Sequence, residues 1–201
     1  MIASLALLSG CALAPVDLHE NWQSRFSPEQ LKKLNAHTTS LNGLAHWQAK
    51  GRFAARNGED AWSGHLLWQQ DDVDFSIRLS GPLGQGGMLL QGNEQSATIT
   101  LSRNRQFQAD SANELVRAHA GLRLPLDELR YWLLGLPAPW IDYAINAIDK
   151  EGRIATLLQH GWRVEYSRYQ IVSDMTLPSK IKLTHPEYQL RLVIGDWQAR
   201  G

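Results

Sequence analysis

The side chains that could do chemistry are dispersed along this chain of 201 residues. Its seven His residues form no HExxH motif and no i, i+4 pair on a predicted helix, whereas a metal site needs ligands at a fixed spacing. Asp71, Asp72 and Asp74 could begin a calcium loop, but the segment lacks the required Gly and final Glu, so we predict a solvated hairpin turn. The glycine-rich run 84–87 lacks the following Lys and Ser/Thr of a phosphate-binding loop. We therefore expect no catalytic residue, no enzymatic activity, no metal and no cofactor.

Covalent modification is the one chemistry that the pattern indicates, and it falls on Cys11. Residues 1–10 form an uncharged apolar run, far shorter than the roughly 20 residues of a membrane-spanning helix. The run is typical of the apolar region of a secretory signal peptide, although it lacks the basic residues that normally precede that region. Leu8-Ser9-Gly10-Cys11 then resembles a bacterial lipobox, in which the cysteine is diacylated on sulfur and becomes the acylated N-terminus.

The alternative is an incidental or buried cysteine near a frayed terminus. Cys11 is the single cysteine of the chain and ends its one signal-like run, and this coincidence favours the lipobox. We predict a shortened signal peptide at 1–10, a lipidated tether at 11–20 and one folded domain at 21–201. Because two or more acyl chains give stable attachment, N-acyl and S-diacylglycerol groups on Cys11 would hold the domain at a membrane.

Composition limits the remaining function classes. Twenty Lys and Arg balance twenty Asp and Glu, so the formal net charge is zero and no overall cationic field favours nucleic acid. A hydrophobic fraction of 43% is too high for a disordered chain. A single cysteine also excludes an internal disulfide and the Cys-rich zinc modules. We expect a globular monomer that does not bind nucleic acid.

A helix is predicted from Ser27 onward. Ser27 can act as the N-cap, Pro28 suits the first helical position, and Gln30 can complete a capping box. Leu31 and Leu34, with Leu41 further on, form a thin apolar stripe. After Gly43 the hydrophobic period changes from helical to two.

The period-two segments predict a mainly β protein with about eleven antiparallel strands. Turn residues separate segments of alternating apolar and polar side chains, and the apolar residues lie on one face of each strand. So many strands in one small domain favour a strongly curled or closed sheet. The clearest segments are 47–56, 62–69, 75–79, 97–101, 144–149, 154–158, 162–169, 180–184 and 188–197.

Two short helices interrupt the strands and are predicted to cover the concave side of the sheet. Ser111 and Glu114 have the spacing of a capping box, and Gly121 follows as a helix stop. Pro125 opens the second helix and Gly135 ends it. That helix carries one apolar face, formed by Leu126, Leu129, Trp132 and Leu133.

The Trp residues leave two interpretations open. Trp47, Trp62 and Trp68 are predicted on the concave face, and Trp132 lies on the covering helix. Such residues can fill a core, which the residue pattern alone favours, or they can line a cavity for an apolar ligand. Leu83 lies between Pro82 and glycines in a hairpin connection, so we predict that it is exposed and available to touch a membrane.

Several motifs together resemble the LolB family of outer-membrane lipoproteins. They follow the lipobox in order and extend over nearly the whole chain. They are Trp22, the strand segment WQAKGRFA at 47–54, WQQ at 68–70, PLG at 82–84, LRYWLLGLP at 129–137 and GDW at 195–197.

The resemblance implies an incomplete antiparallel β-barrel, capped by short helices around a hydrophobic cavity. It implies a receptor that accepts triacylated lipoproteins from the periplasmic carrier LolA. The receptor then inserts them among the phospholipids of the inner leaflet of the outer membrane, with Leu83 as the residue that serves membrane delivery. In this light the concave face is a cavity wall. The predicted acyl-chain contacts are Phe53, Leu66, Trp68, Phe75, Ile77, Leu129, Trp132 and Leu133.

Three other functions compete with this one. A soluble carrier needs no lipobox, and a lipid hydrolase needs a nucleophile and base that the sequence does not provide. A structural scaffold of the cell envelope is the main alternative, and it predicts a filled barrel with a large exposed interface.

Overall fold

The fold is seen in a computed structural model that describes residues 21–58, 60–82, 87–121 and 123–200. The predicted signal peptide and tether, with Cys11, lie outside the described residues, and so does Leu83. No helix in the described part of the chain is long and apolar enough to cross a membrane.

The described residues form one antiparallel sheet of eleven strands, which confirms the predicted class. The strands are β1 (His46–Asn57), β2 (Asp60–Asp71), β3 (Asp74–Ser80), β4 (Gly87–Gly92), β5 (Ala97–Leu101), β6 (Arg105–Ala109), β7 (Tyr143–Ile148), β8 (Ile154–Gln159), β9 (Trp162–Val172), β10 (Met175–Thr184) and β11 (Tyr188–Arg200). Their spatial order is β6-β5-β4-β3-β2-β1-β11-β10-β9-β8-β7. β1 therefore pairs with the last strand at the centre, while β6 and β7 form the two edges of an open, incomplete barrel.

β1 shows why the inner face is continuous across this central pair. Its inward positions include Trp47, Ala49 and Ala55, which are buried, while Lys50 and Arg52 on the other face are exposed. The register with β11 shifts between Lys50 and Gly51, and Gly195 is the extra residue. A bulge reverses the alternation, so Trp197 and Ile194 both face inward despite their odd spacing.

Trp62 differs in part from its prediction. It pairs with Ala55 and so lies on the inner-face side of β2, but 37% of the residue is exposed. β3 begins to pair with β2 only at His65, so Trp62 extends beyond the covered part of the sheet. Trp47 and Trp68 are buried as predicted, with ring centroids 5.7 Å apart.

Three helices and two short 3₁₀ turns, at Trp22–Arg25 and Ser102–Asn104, complete the described fold. The first helix, α1 (Pro28–Leu41), has the predicted capping box: Gln30 N donates to Ser27 Oγ, and Ser27 N donates to Gln30 Oε1. Leu34 and Leu41 are buried in the core, and Leu31 is packed against it.

The capping box predicted for the second helix is wrong. The helix α2 (Ala112–Ala120) does follow Ser111, but the Ser111 side chain makes no capping hydrogen bond. Burial of Ala112, Leu115 and Val116 positions the first turns of the helix against β4, β5 and β6. The third helix, α3 (Leu126–Leu134), begins after Pro125. Gly121 and Gly135 end their helices in the left-handed region, as predicted.

The turn between β7 and β8 fits closely against α1. Asp149 Oδ1 accepts hydrogen bonds from the backbone N–H groups of Glu151 and Arg153. Gly152 has a φ of +87°, and a Cβ at this position would lie 2.3 Å from Lys33 Cβ and 2.7 Å from the Lys33 carbonyl carbon. Glycine is therefore required by conformation and by the close approach of the helix.

Gly152→Ala tests this packing, with Gly43→Ala as the matched control. Gly43 has a φ of +88°, but a Cβ there meets no atom within 4 Å. The control should cost about 1 kcal/mol of unfolding free energy, the cost of a left-handed alanine. Gly152→Ala should cost roughly 1–3 kcal/mol more, because α1 must also move. Urea unfolding measures both values, and equal losses would contradict the packing argument.

Candidate functional site

An apolar cavity lies between the inner face of the sheet and the two helices that join β6 to β7. Its volume in this structure is about 60 Å³. Every lining residue is apolar. The strands supply Phe53, Ala55, Leu66, Trp68, Ile77, Leu79, Met88, Leu90, Leu190 and Leu192, and the helical connection supplies Val116, Leu124, Leu126 and Leu129.

The strand side of the cavity follows from the alternation in β1 to β4 and β11. Ala55 leaves room there, because it places only a methyl group on the inner face. Gly64 faces Phe53 across the β1–β2 pair. A Cβ on Gly64 would come within 2.0 Å of the Ser80 carbonyl oxygen and 3.2 Å of the Phe53 ring, so the close approach of β3 requires glycine at this position. The ring of Phe53 is packed against the core but is not fully buried.

A buried amide holds the C-terminal end of α3 against the sheet. Gln159, at the end of β8, is 1% exposed. Its Oε1 accepts hydrogen bonds from Trp132 Nε1 at 2.8 Å and from the Ala138 N–H at 2.9 Å. Its Nε2 donates to the carbonyl oxygens of Ala138 and Ile141, both at 2.8 Å. All four hydrogen-bonding positions of this amide are therefore satisfied.

One tyrosine of β9 strengthens this anchored end, and a second forms a hydrogen bond within the sheet. The Tyr166 hydroxyl donates to the Trp132 carbonyl oxygen at 2.9 Å. Burial raises the pKa of Tyr166 well above its usual value, so the hydroxyl stays protonated and remains a donor. Tyr169 OH donates to the Ile154 carbonyl oxygen, and burial, followed by the charge of Asp149, raises its pKa as well.

The N-terminal end of α3, which covers the cavity, is held differently. The Leu126 N–H donates to Asn113 Oδ1 at 2.9 Å, and Asn113 Nδ2 donates to Asp127 Oδ2 at 3.1 Å, which joins α2 to α3. Glu128 is 5% exposed, and its Oε1 atom lies within hydrogen-bonding distance of His160 Nδ1, at 2.7 Å. Leu126 and Leu129 contribute only apolar side-chain contacts to the cavity. The polar links of α3 to the sheet near this end are the contact of Glu128 with His160 and that of Arg130 with Glu94, at 3.5 Å.

Within the described residues, no group of three or more His, Cys, Asp or Glu side chains comes together to hold a metal ion. His37 lies on α1. Burial, and then the charge of Arg153, lowers the pKa of His37, so its ring is neutral at pH 7. These polar groups stabilise the fold, and the cavity itself contains no group that could do chemistry.

Comparison with known proteins decides the family. The family model described as "Outer membrane lipoprotein LolB" matches residues 45–197. The chain belongs to the LolB family. Similar relatives, each named outer-membrane lipoprotein LolB, include those of Nitrosococcus oceani and Stutzerimonas stutzeri. The first is 36% identical, covering 98% of this chain and 95% of the relative, and the second is 38% identical, covering 96% and 91%.

Solved structures add the fold to this family assignment. A LolA-superfamily protein from Nitrosomonas europaea aligns with a TM-score of 0.53 and 10% identity, over 86% of this chain and 94% of that protein. A putative outer membrane lipoprotein-sorting protein domain from Vibrio parahaemolyticus aligns with a TM-score of 0.53 and 10% identity, over 85% and 92%. At such identity the likeness concerns the fold alone.

The structure brings together five of the eight predicted contact residues. Phe53, Leu66, Trp68, Ile77 and Leu129 line the cavity. Their contact with an acyl chain stays a prediction. Nine lining residues were not proposed as contacts, and the alternation of strands 87–92 and 188–194 could have indicated the strand residues among them. The nine are Ala55, Leu79, Met88, Leu90, Val116, Leu124, Leu126, Leu190 and Leu192.

The other three predicted residues lie elsewhere. Phe75 lines a neighbouring space of about 20 Å³ that it shares with Trp68, Ile77 and Leu126. Trp132 and Leu133 are fully buried and do not line the cavity. Trp132 instead packs against Trp162, with ring centroids 6.2 Å apart, and donates to Gln159, because α3 turns that side toward β8 and β9.

Gln159→Leu tests the anchor of α3. The change leaves Trp132 Nε1, the Ala138 N–H and two carbonyl oxygens buried without their partner, and each such group costs roughly 1–3 kcal/mol. We expect the unfolding free energy to fall by more than about 3 kcal/mol. Gln106→Leu, at an exposed position of edge strand β6, is the control and should change stability by less than about 0.5 kcal/mol. Similar values for the two variants would show that Gln159 is not an anchor.

Proposed function

We propose that this chain is an outer-membrane receptor that accepts lipoproteins from the periplasmic carrier LolA in its apolar cavity and inserts them into the inner leaflet of the outer membrane. Membership of the LolB family supports this function. The observation that carries the proposal for the site is the wholly apolar cavity beneath α2 and α3. The cargo would be a triacylated lipoprotein, whose acyl chains need an apolar surface away from water.

The cavity is too small in this structure to hold such a ligand. Its volume of about 60 Å³ lies far below the roughly 300–1,000 Å³ of typical ligand pockets. Uptake therefore requires α2 and the first turn of α3 to move away from β1–β4. Because Gln159 and Tyr166 hold the other end of α3, we expect the movement at its first turn, where the contact between Glu128 and His160 must also break. The bonds of Asn113 to Leu126 and Asp127 would keep α2 and α3 together as they move.

The direction of transfer follows from relative burial of the acyl chains. Each buried methylene contributes about 0.8 kcal/mol, so a protein needs no nucleotide to take up a chain that another protein exposes. One-way transfer requires the receptor to bind more tightly than the carrier and less tightly than the bilayer. A cavity that must widen to admit a chain suits this intermediate affinity, because uptake must first separate apolar surfaces that already contact each other.

Attachment to the membrane would come from acylated Cys11, with the folded domain on the periplasmic face. Cys11 follows the signal-like run, and a thioether diacylglycerol plus an N-acyl chain gives a stable anchor. A structural scaffold is the alternative function. It predicts a filled barrel, whereas an apolar cavity and the family assignment favour the acceptor.

Ala55→Leu tests uptake, with Ala54→Leu as the matched control. Ala55 lines the cavity, and Ala54, the preceding residue of β1, is exposed on the outer face. Filling the cavity should weaken acyl-chain binding on the order of tenfold, because overpacking costs about 1–3 kcal/mol. The assay mixes the unacylated full chain (Cys11→Ser) with carrier loaded with radiolabelled lipoprotein and measures the label on each protein after separation.

In this assay Ala54→Leu should accept label like the parent chain. Absence of transfer to a folded parent chain would favour the scaffold. Equal uptake by the two Leu variants would place the acyl chains outside this cavity.

Leu83→Glu tests delivery separately from uptake. We expect the variant to accept label from the carrier but to transfer it to phospholipid vesicles at least about tenfold less, because a carboxylate is costly in the apolar part of a bilayer. Ile171→Glu is the control, since Ile171 is 81% exposed on β9 and should not affect delivery. Normal delivery by Leu83→Glu would remove Leu83 from this role.

A further inference from the structure

The outer face of the sheet carries a concentration of cations that the net charge of the chain conceals. Arg52, Lys180 and Arg168 lie in one row across β1, β11, β10 and β9, with Val193 of β11 between the first two. All four residues are exposed. Successive strands are about 4.8 Å apart, so the three cations span the centre of the sheet.

Neighbouring rows extend this surface in both directions. Lys50 and Arg78 lie in the row on one side, on β1 and β3, with Leu67 of β2 between them. Arg191 and Lys182 pair with each other in the row on the other side.

Arg56 and Arg163 belong to the next row, in which Arg56 pairs with Gln189 of β11 and Arg163 with Thr184 of β10. We call these nine Lys and Arg residues in four rows the cationic face.

The cationic face has little compensating negative charge. It holds nine of the twenty Lys and Arg of the chain but only two of the twenty Asp and Glu, namely Glu165 and Asp196. Lys182 pairs with Glu165 at 2.9 Å, and it is the one cation of this face with an ion pair among the described residues. Unpaired like charges so close together repel one another, and an anionic surface that covers them would relieve this repulsion.

We infer that the cationic face binds the phosphate-bearing surface of an anionic phospholipid bilayer. Each Lys or Arg near such a surface contributes attraction of about 1 kcal/mol at physiological salt, and several cations on one rigid sheet act together. This inference rests on the proposed function only in placing the chain at a membrane. It adds the orientation of the domain, since the face opposite the cavity would lie against the headgroups.

An acidic protein partner fits these positions less well. A carrier must deliver its cargo to the cavity, and α2 and α3 cover the cavity on the inner side of the sheet. A carrier bound to the cationic face would be separated from the cavity by the sheet itself. A bilayer on that side leaves the helices facing away from the membrane, where a carrier can approach.

The central row of the cationic face ends at the last residue of β3. Ser80, the last residue of β3, lies opposite His65, which lies opposite Arg52 in the central row. Headgroup binding at Arg52 and Arg78 would therefore keep this end of the sheet close to the bilayer without contact between the cavity and the headgroups.

The experiment measures partitioning of the unacylated full chain (Cys11→Ser) onto vesicles by sedimentation. One set contains phosphatidylcholine alone, and the other contains about one third phosphatidylglycerol, which gives the negative surface potential. The test variant is Arg52→Gln, Lys180→Gln and Arg191→Gln. A second test variant, Lys50→Gln, Arg56→Gln and Arg78→Gln, removes different cations from the same face.

The matched control removes three exposed cations elsewhere, with Lys32→Gln, Arg105→Gln and Lys150→Gln. All variants then have the same net charge. Transfer of labelled lipoprotein from the carrier in solution, without vesicles, is measured in parallel, so a failure of the proposed function is seen separately.

We expect each test variant to bind anionic vesicles at least about tenfold more weakly than the parent chain, and the control variant to lose less than about threefold. Binding of the parent chain should disappear at about 1 M salt, where the Debye length is ~3 Å. Uptake of cargo in solution should be unchanged.

Equal losses in the test and control variants would overturn the inference, because net charge alone would then explain binding. Unchanged vesicle binding in both test variants would also overturn it. Reduced uptake from the carrier in solution, with vesicle binding intact, would instead assign the cationic face to an acidic protein.

Discussion

An open sheet with one apolar face must be covered, and this requirement organises the whole molecule. The pairing of β1 with β11 leaves β6 and β7 at separate edges, so the chain must cross from one edge to the other. It does so over the inner face, and the crossing contains α2 and α3. The same segment therefore connects the two halves of the sheet and covers their apolar side. The cavity lies where this covering layer does not fill the space beneath it.

The two ends of the covering segment differ in the kind of interaction that holds them. At the C-terminal end of α3, the buried Gln159 amide makes one hydrogen bond with Trp132 and three with Ala138 and Ile141, which follow the helix. The Tyr166 hydroxyl donates to the Trp132 carbonyl oxygen. Directional bonds of this kind are costly to break when buried. Over the cavity, the side chains of Leu126 and Leu129 make apolar contacts, which have no preferred direction. An apolar ligand could replace the strand side chains in these contacts. The C-terminal end of α3 is thus anchored by hydrogen bonds, whereas its contacts over the cavity are apolar.

The two faces of the sheet have opposite physical character. The inner face excludes polar groups around the cavity, whereas the outer face contains the cations centred on Arg52 and Lys180. Strand alternation produces this separation, because successive side chains change face except at bulges such as that at Gly195. One element such as β1 therefore supplies Ala55 to the cavity and Arg52 to the cationic face within four residues. An apolar ligand and an anionic surface can be served by the same strands without sharing a side chain.

Much of this protein could be predicted from local sequence. Period-two alternation and turn residues determined the strands, the wet and dry faces and the mainly β class, and the Ser27 capping box follows from residues three positions apart. Motifs spread along the chain also indicated the family. Where a feature depends on distant contacts, prediction failed or stayed open. The Ser111 side chain does not cap α2, because burial positions that helix. Trp132 does not line the cavity, because its indole N–H donates a hydrogen bond to Gln159, 27 residues later.

The tertiary structure alone decided whether the inner face is filled or open. The amount of space between two packed layers depends on how the side chains of β1–β4, β11 and the helices pack together. A local sequence pattern does not determine this packing. The concentration of cations likewise became visible only when register placed Arg52, Lys180 and Arg168 in one row. Sequence by itself determined which residues face in and which face out, because that depends on neighbouring residues. Their assembly into a cavity and a charged face required the pairing of strands far apart in the chain.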